Sequence, residues 1–142
     1  MTSARLAINA YVRTEIDTAV PEADGHRLVV MLFEGALTAV ADARLKLQQG
    51  DIPGRGKATS KAIAIIDEGL RASLDRTQGG DIAAQLEDLY RYMCARLMHA
   101  NLRSDVDALD EVTNLLGEIE SGWKSIGPGQ PQMKPVAQEA RI

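Results

Sequence analysis

One period runs through nearly the whole chain. Apolar residues return every three or four positions along four separate stretches. Nowhere do they sustain the every-other-residue alternation of a half-buried strand. Leu28, Leu32, Ala36, Ala39, Ala43 and Leu47 mark the first stripe, in a helix expected from near Asp24 to Gly50, where glycine is a fit stop and Pro53 reinforces it. "DIPGRGK" reads as a loop. A second helix is expected from about Lys57 to Thr77, with Ala62, Ile65, Ile66, Gly69 and Ser73 on one face. "QGGD" breaks the chain: its glycines permit positive φ, and Asp81 can cap the next N-terminus. The third helix carries Ile82, Leu86, Leu89, Met93, Leu97 and Ala100. Ser104 to Asp107 reads as a variant capping box. Leu109, Val112, Leu116, Ile119, Trp123 and Ile126 keep step in the fourth helix, with Trp123 as the large plug at one end of the core.

Four amphipathic stripes joined by short connections define an all-α fold, an antiparallel up-down four-helix bundle. The organisation expected is residues 1–20 as an N-terminal cap segment, 21–127 as the bundle and 128–142 as a disordered tail. The tail holds three of the five prolines and almost no large apolar residue. The N-terminal "RLAINAYV" is too short to be a stable helix alone. Its Leu6, Ile8 and Tyr11 have no place in the four stripes, so they are expected to form a movable cap on exposed apolar surface.

The 142 residues suffice for one domain with a real core. A net charge of -4 argues against nucleic acid as the main partner. The longest apolar run, "LVVMLF", is far short of a membrane span, and the opening residues show no secretory signal. One cysteine permits no internal disulfide and suits a reducing compartment.

The residues that tempt a catalytic reading do not converge. His99 could accept a phosphoryl group, since histidine phosphotransfer domains are also four-helix bundles. Those sites usually place a basic residue and then a glycine three and four positions later, where this chain has Leu102 and Arg103. His99 reads better as a half-exposed surface residue, with the phosphotransfer module as the alternative. His26 has no acid or cysteine at ligand spacing, and no Glu-x-x-His pair exists for a bundle di-metal site. Cys94, one turn from Tyr90, reads as a small apolar packer. Tyr90 and Tyr92 diverge on a helix, so one packs inward and the other points elsewhere.

The excess of apolar residues says more. Leu28 to Phe33 are six consecutive apolar positions, more than one stripe can hold. Phe33, Leu37 and Val40 define a second stripe on the first helix. Ile63, Leu70 and Leu74 do so on the second. Tyr90, Cys94 and Met98 do so on the third, where Leu97 and Asn101 complete the expected face. Apolar surface over so wide an arc implies a groove for an apolar helix or extended segment.

"MLFEGAL", "SKAIAIIDEGLRASLD", "GGDIAAQLEDLYRYMCARLMHANLRSD" and "EVTNLLGEIESGWKSI", together with "INAYVRTEI" around Tyr11, resemble the flagellar export chaperone FliS family in order and separation. The resemblance spans about residues 6–127. The family often has Ser-Pro before its first long helix, where Asp24-Gly25 stands here; Asp can replace Ser as a cap, and Gly loosens the start. The resemblance implies a cytoplasmic, non-catalytic protein without cofactor. Its implied partner is the disordered C-terminal segment of flagellin, which it keeps from polymerising and helps bring to the type III export gate. It also implies a short extra N-terminal helix, and it leaves open a homodimer of the free protein.

Overall fold

The computed structural model describes residues 24–126. Leu6, Ile8 and Tyr11, and the tail from 128, lie outside the described residues. Within them the chain is helical: α1 (Asp24–Gln49), α2 (Ile52–Ala64), α3 (Arg76–Arg103) and α4 (Val106–Lys124). A π turn over Ile65–Leu70 and a 3-10 turn over Arg71–Ser73 prolong α2. Each helix packs on the next, and α1 closes the ring against α4. The pairings fix the directions. His26, in the first turn of α1, meets Trp123 in the last turn of α4, while Arg44 near the end of α1 meets Asp110 near the start of α4. Arg55 at the start of α2 reaches Asn101 at the end of α3. The bundle is therefore antiparallel and up-down.

The turns are tighter than the sequence suggested. Gly50 takes φ 73°, and Gly50 N–H and Asp51 N–H donate back to the carbonyls of Leu47 and Lys46, so α1 ends in a Schellman turn. "DIPGRGK" is not a loop. Asp51 caps α2 by accepting from Gly54 N–H, and Pro53 sits in the first helical turn, where its missing N–H is no loss. Pro53 thus opens α2 and plays no part in stopping α1. The second helix ends at Ser73, short of Thr77, because Asp75 caps the next helix through Thr77 N–H and Gln78 N–H. A first turn of α3 forms before the glycine break, which falls at Gly80 (φ 54°, ψ -127°). Ser104 does not cap α4. It ends α3 in the left-handed region at φ 54°, and Asp105 caps α4 through the amides of Asp107 and Ala108.

The core is aliphatic with a few large rings. Leu32, Phe33, Ile66, Leu70, Tyr90, Met93, Leu97, Leu109 and Leu116 are among its fully buried side chains, and alanines line the close approaches. Tyr90 points inward at 1% exposure and Tyr92 outward at 43%, as the spacing predicts.

The π turn settles what the sequence left as two stripes on the second helix. In a continuous α-helix, Leu70 would stand about 60° and Leu74 about 100° off the Ala62/Ile66 line. The π turn carries one extra residue, which turns everything after it back by about 100°. Ile65, Ile66, Gly69, Leu70 and Leu74 are all buried as a result. Gly69 lies where a Cβ would stand 3.0 Å from Leu32 Cδ2, so any larger residue there requires the end of Leu32 to give by a few tenths of an ångström.

Candidate functional site

The expected partner-facing residues divide between the interior and the seams between helices. Phe33, Val40, Leu70, Leu74, Tyr90 and Leu97 are buried in the core. Leu37, Ile63 and Cys94 are partly buried and pack against its edge. Leu37 lies two turns before Arg44, which pairs with Asp110, so it belongs to the flank of α1 facing α4. Ile63, Cys94 and Asn101 meet instead at the seam of α2 and α3.

That seam is the more developed of the two. Cys94 Sγ–H points to the carbonyl of Ile63 at 3.9 Å. At its upper end Arg71 donates to Asp67 (2.7 Å) and across to Glu87 (3.1 Å), which also accepts from Arg91. At its lower end Arg55 donates to the side chain of Asn101 (3.1 Å), to the main-chain carbonyl of Asn101 (2.8 Å) and to Ser104 Oγ (2.9 Å). A guanidinium thus satisfies the end of α3, where carbonyls otherwise lack partners and the helix dipole favours a cation. The string "ANLRSD" is in this light a corner piece: Asn101 is held by Arg55, and Asp105 starts α4.

Apolar side chains continue outward from the seam. Met98 and Leu102 follow Cys94 at successive turns of α3, exposed by 58% and 76%, and Ile52, one turn before Arg55, is exposed by 65%. Met98 was legible in the sequence; Ile52 and Leu102 were not. The segment holding Ile52 reads as a loop in the sequence, and Leu102 stands one turn beyond the Tyr90, Cys94 and Met98 stripe, at the helix end. Their signal was that each is a large apolar residue at a helix end with no facing partner in the periodic pattern.

The seam of α3 and α4 is polar on its outer side. Glu111 accepts from Tyr92 OH (2.6 Å) and from Arg96 Nε (2.8 Å). Its carboxyl is held below the usual range, first by the phenol and then by the guanidinium. On the α1–α4 flank, Lys124 lies between Glu34 and Glu120, and Arg44 holds Asp110 below its ordinary range by hydrogen bond and charge.

The groups of possible chemistry are apart or occupied. His99 Nε2 donates to Asp105 at 3.0 Å, on a half-exposed surface at the end of α3. His26 stacks on Trp123. Burial, with the nearby Asp67 charge, pushes the Cys94 thiol up to about 11, the opposite of what a nucleophile needs. Among the described residues no group of three or more His, Cys, Asp or Glu is placed to hold a metal ion. No helix among them is long and apolar enough to cross a membrane.

The described residues thus form an antiparallel four-helix bundle with large apolar side chains exposed beside the α2–α3 seam. The family described as Flagellar protein FliS matches residues 7–130, and the chain belongs to that family of flagellar secretion chaperones. It is similar to the flagellar secretion chaperone FliS of Salmonella typhimurium, 50% identical over 85% of this chain and 90% of the relative. It is also similar to the flagellar secretion chaperone FliSB of Pseudomonas aeruginosa, 43% identical over 84% of this chain and 94% of the relative. The Escherichia coli flagellar secretion chaperone FliS is 44% identical over 81% of this chain and 85% of the relative.

Proposed function

We propose that this chain is a cytoplasmic, non-catalytic export chaperone for flagellin. It binds the disordered C-terminal segment of flagellin, keeps it from polymerising before export, and assists its delivery to the flagellar type III export apparatus. The observation that carries this reading is membership of the FliS family, with a relative named as a flagellar secretion chaperone matched at 50% identity over nearly the whole bundle.

The surface suits that task. A disordered segment that folds on docking loses conformational entropy, so it needs a long apolar track. Ile52, Ile63, Cys94, Met98 and Leu102 supply such a track along the α2–α3 seam, with Leu37 on the opposite flank. Each large apolar side chain that the segment buries contributes roughly 1.5–3 kcal/mol before the ordering cost is subtracted. A shallow track of this kind also allows release, which one deep pocket would hinder.

Titration calorimetry with a synthetic peptide of the flagellin C-terminal segment tests the reading. Saturable binding with a negative heat-capacity change is expected. No heat and no co-elution at concentrations of about 100 μM would remove flagellin as the client.

A further inference from the structure

We infer that α2 is a two-register helix, and that the π turn at Ile65–Leu70 decides whether Leu70 faces the core or the α2–α3 seam. The inference rests on the chaperone reading above and names how its docking face is regulated.

Four observations meet at this turn. First, the hydrogen-bond register changes twice in a short length: α-helix to Ala64, π turn over Ile65–Leu70, 3-10 turn over Arg71–Ser73. Neither of the last two is the favoured register of a long helix; π turns inside helices are frequent at functional sites, and a 3-10 stretch within a helix often marks a hinge. Second, a regular α register is available without breaking the chain. It would turn Leu70 by about 100°, away from the core and onto the line of Ile63, at the seam where Cys94 already reaches the Ile63 carbonyl. Third, the residue that meets α1 in the middle of the turn is Gly69, packed on the flexible end of Leu32. A glycine presents no side chain to lock the rotation. Fourth, a latch spans the turn: Arg71, just after it, grips Asp67 inside it and Glu87 on α3.

In the described register the latch is closed, Leu70 is 1% exposed and the seam is at its least apolar. A docked apolar segment offers Leu70 a second place to be buried, so it favours the α register by its differential contact with that state. Docking and rotation then support each other, and release of the segment restores the π turn.

The test uses the full chain and two variants. Deleting Glu68 removes the extra residue, so α2 becomes a regular helix with Leu70 fixed in the core. Arg71→Met opens the latch without changing the number of residues in the turn. In the wild type, hydrogen exchange over residues 63–72 is expected to be faster than at the centre of α1 and to slow when the flagellin C-terminal peptide binds. The deletion is expected to slow exchange there by about tenfold without peptide and to weaken peptide binding by about tenfold. Arg71→Met is expected to speed local exchange and to bind peptide as tightly as wild type or more so. A folded deletion variant that binds peptide as well as wild type overturns the inference. So does a wild-type turn whose amides exchange as slowly as those of α1. If the deletion variant does not fold, an Arg71→Met protein with unchanged local exchange overturns it alone. Failure of the wild type to bind peptide counts against flagellin as client, while the exchange comparison still judges the turn.

Discussion

His26 and Trp123 are stacked with ring centroids 4.9 Å apart and planes 18° from parallel, and each donates to the other's main-chain carbonyl. His26 Nε2–H reaches Trp123 O at 3.0 Å, and Trp123 Nε1–H reaches His26 O at 3.1 Å. The pair joins the first turn of α1 to the last turn of α4, the two elements furthest apart in the bundle's sequence. A reciprocal contact of this kind closes the ring at one end. It also gives the His26 Nε2–H and the Trp123 Nε1–H each a partner.

Removing the clasp should be felt as stability. Trp123→Ala should cost about 3–5 kcal/mol, since a nearly buried ring is lost with its hydrogen bond. Trp123→Phe keeps most of the packing and should cost about 1–2 kcal/mol, mainly through the orphaned His26 carbonyl. Urea unfolding of Trp123→Phe, His26→Ala and the double variant measures the coupling. Strict additivity would show that the two residues act separately.

Two half-exposed carboxylates contribute to the acid sensitivity of the bundle. Asp110 is held below its ordinary range by Arg44, and Glu111 by Tyr92 and then Arg96. Folding therefore favours their charged forms. Their contribution is complete above the unfolded carboxylate values near 4 and is lost as pH falls through the lower folded values. The melting temperature should be flat above about pH 5 and should fall below about pH 4. The Asp110→Asn, Glu111→Gln double variant should start lower and show a shallower acid decline. An identical slope in wild type and variant would mean that other groups govern it.

Cys94 should behave as an inert side chain. Its thiol is half-buried, raised to about 11 by desolvation and turned toward the Ile63 carbonyl. At neutral pH, alkylation of the native protein by iodoacetamide should be slower than that of the urea-unfolded chain by about a hundredfold, following the thiolate fraction. Equal rates would place the thiol in water.

Gly69→Ala should destabilise by about 1–3 kcal/mol, although alanine is the better helix former by about 1 kcal/mol. The added Cβ would come to 3.0 Å from Leu32 Cδ2, a side chain that is itself buried. Against a Leu32→Ala background the same change should be nearly neutral or stabilising. A Gly69→Ala variant as stable as wild type in chemical denaturation would show that Leu32 yields freely.

Much of this is legible in the sequence, and the exceptions have physical reasons. The stripes of α1, α3 and α4 follow a regular period, so Leu32, Ala36, Leu86, Met93, Val112 and Leu116 could be placed inward from spacing alone. The stripe of α2 could not be read that way. At 3.6 residues per turn Leu70 and Leu74 drift off the face, and the wider pitch of the π turn brings them back. The boundaries failed where two residues could do the same job. Ser104 and Asp105 are both plausible caps, and the left-handed turn that follows α3 gave the task to Asp105. The candidate docking face was only partly visible, because a second apolar stripe looks alike in sequence whether it thickens a core or meets a partner. Phe33, Val40 and Tyr90 thicken the core. Asn101 looked available and is held by Arg55.

The exposed apolar residues offer the cleanest separation of binding from folding. Tyr90→Asp would place a charge in the core, and any loss of binding would only report unfolding. Met98 and Leu102 are more than half exposed, so Met98→Asp and Leu102→Asp should each change stability by no more than about 0.5 kcal/mol. If the α2–α3 seam carries the client, each should weaken binding of the flagellin C-terminal peptide by roughly tenfold, since one large apolar contact is replaced by a charge that must be desolvated. Leu37→Asp, on the flank facing α4, is the internal comparison, used only with its melting temperature matched to wild type because Leu37 is partly buried against the core. Loss of affinity in Met98→Asp alone assigns docking to the α2–α3 seam. Loss in Leu37→Asp as well means that the segment wraps both flanks. Loss in Leu37→Asp with Met98→Asp and Leu102→Asp unchanged moves the client to the opposite side of the bundle, and the seam track fails as the docking face.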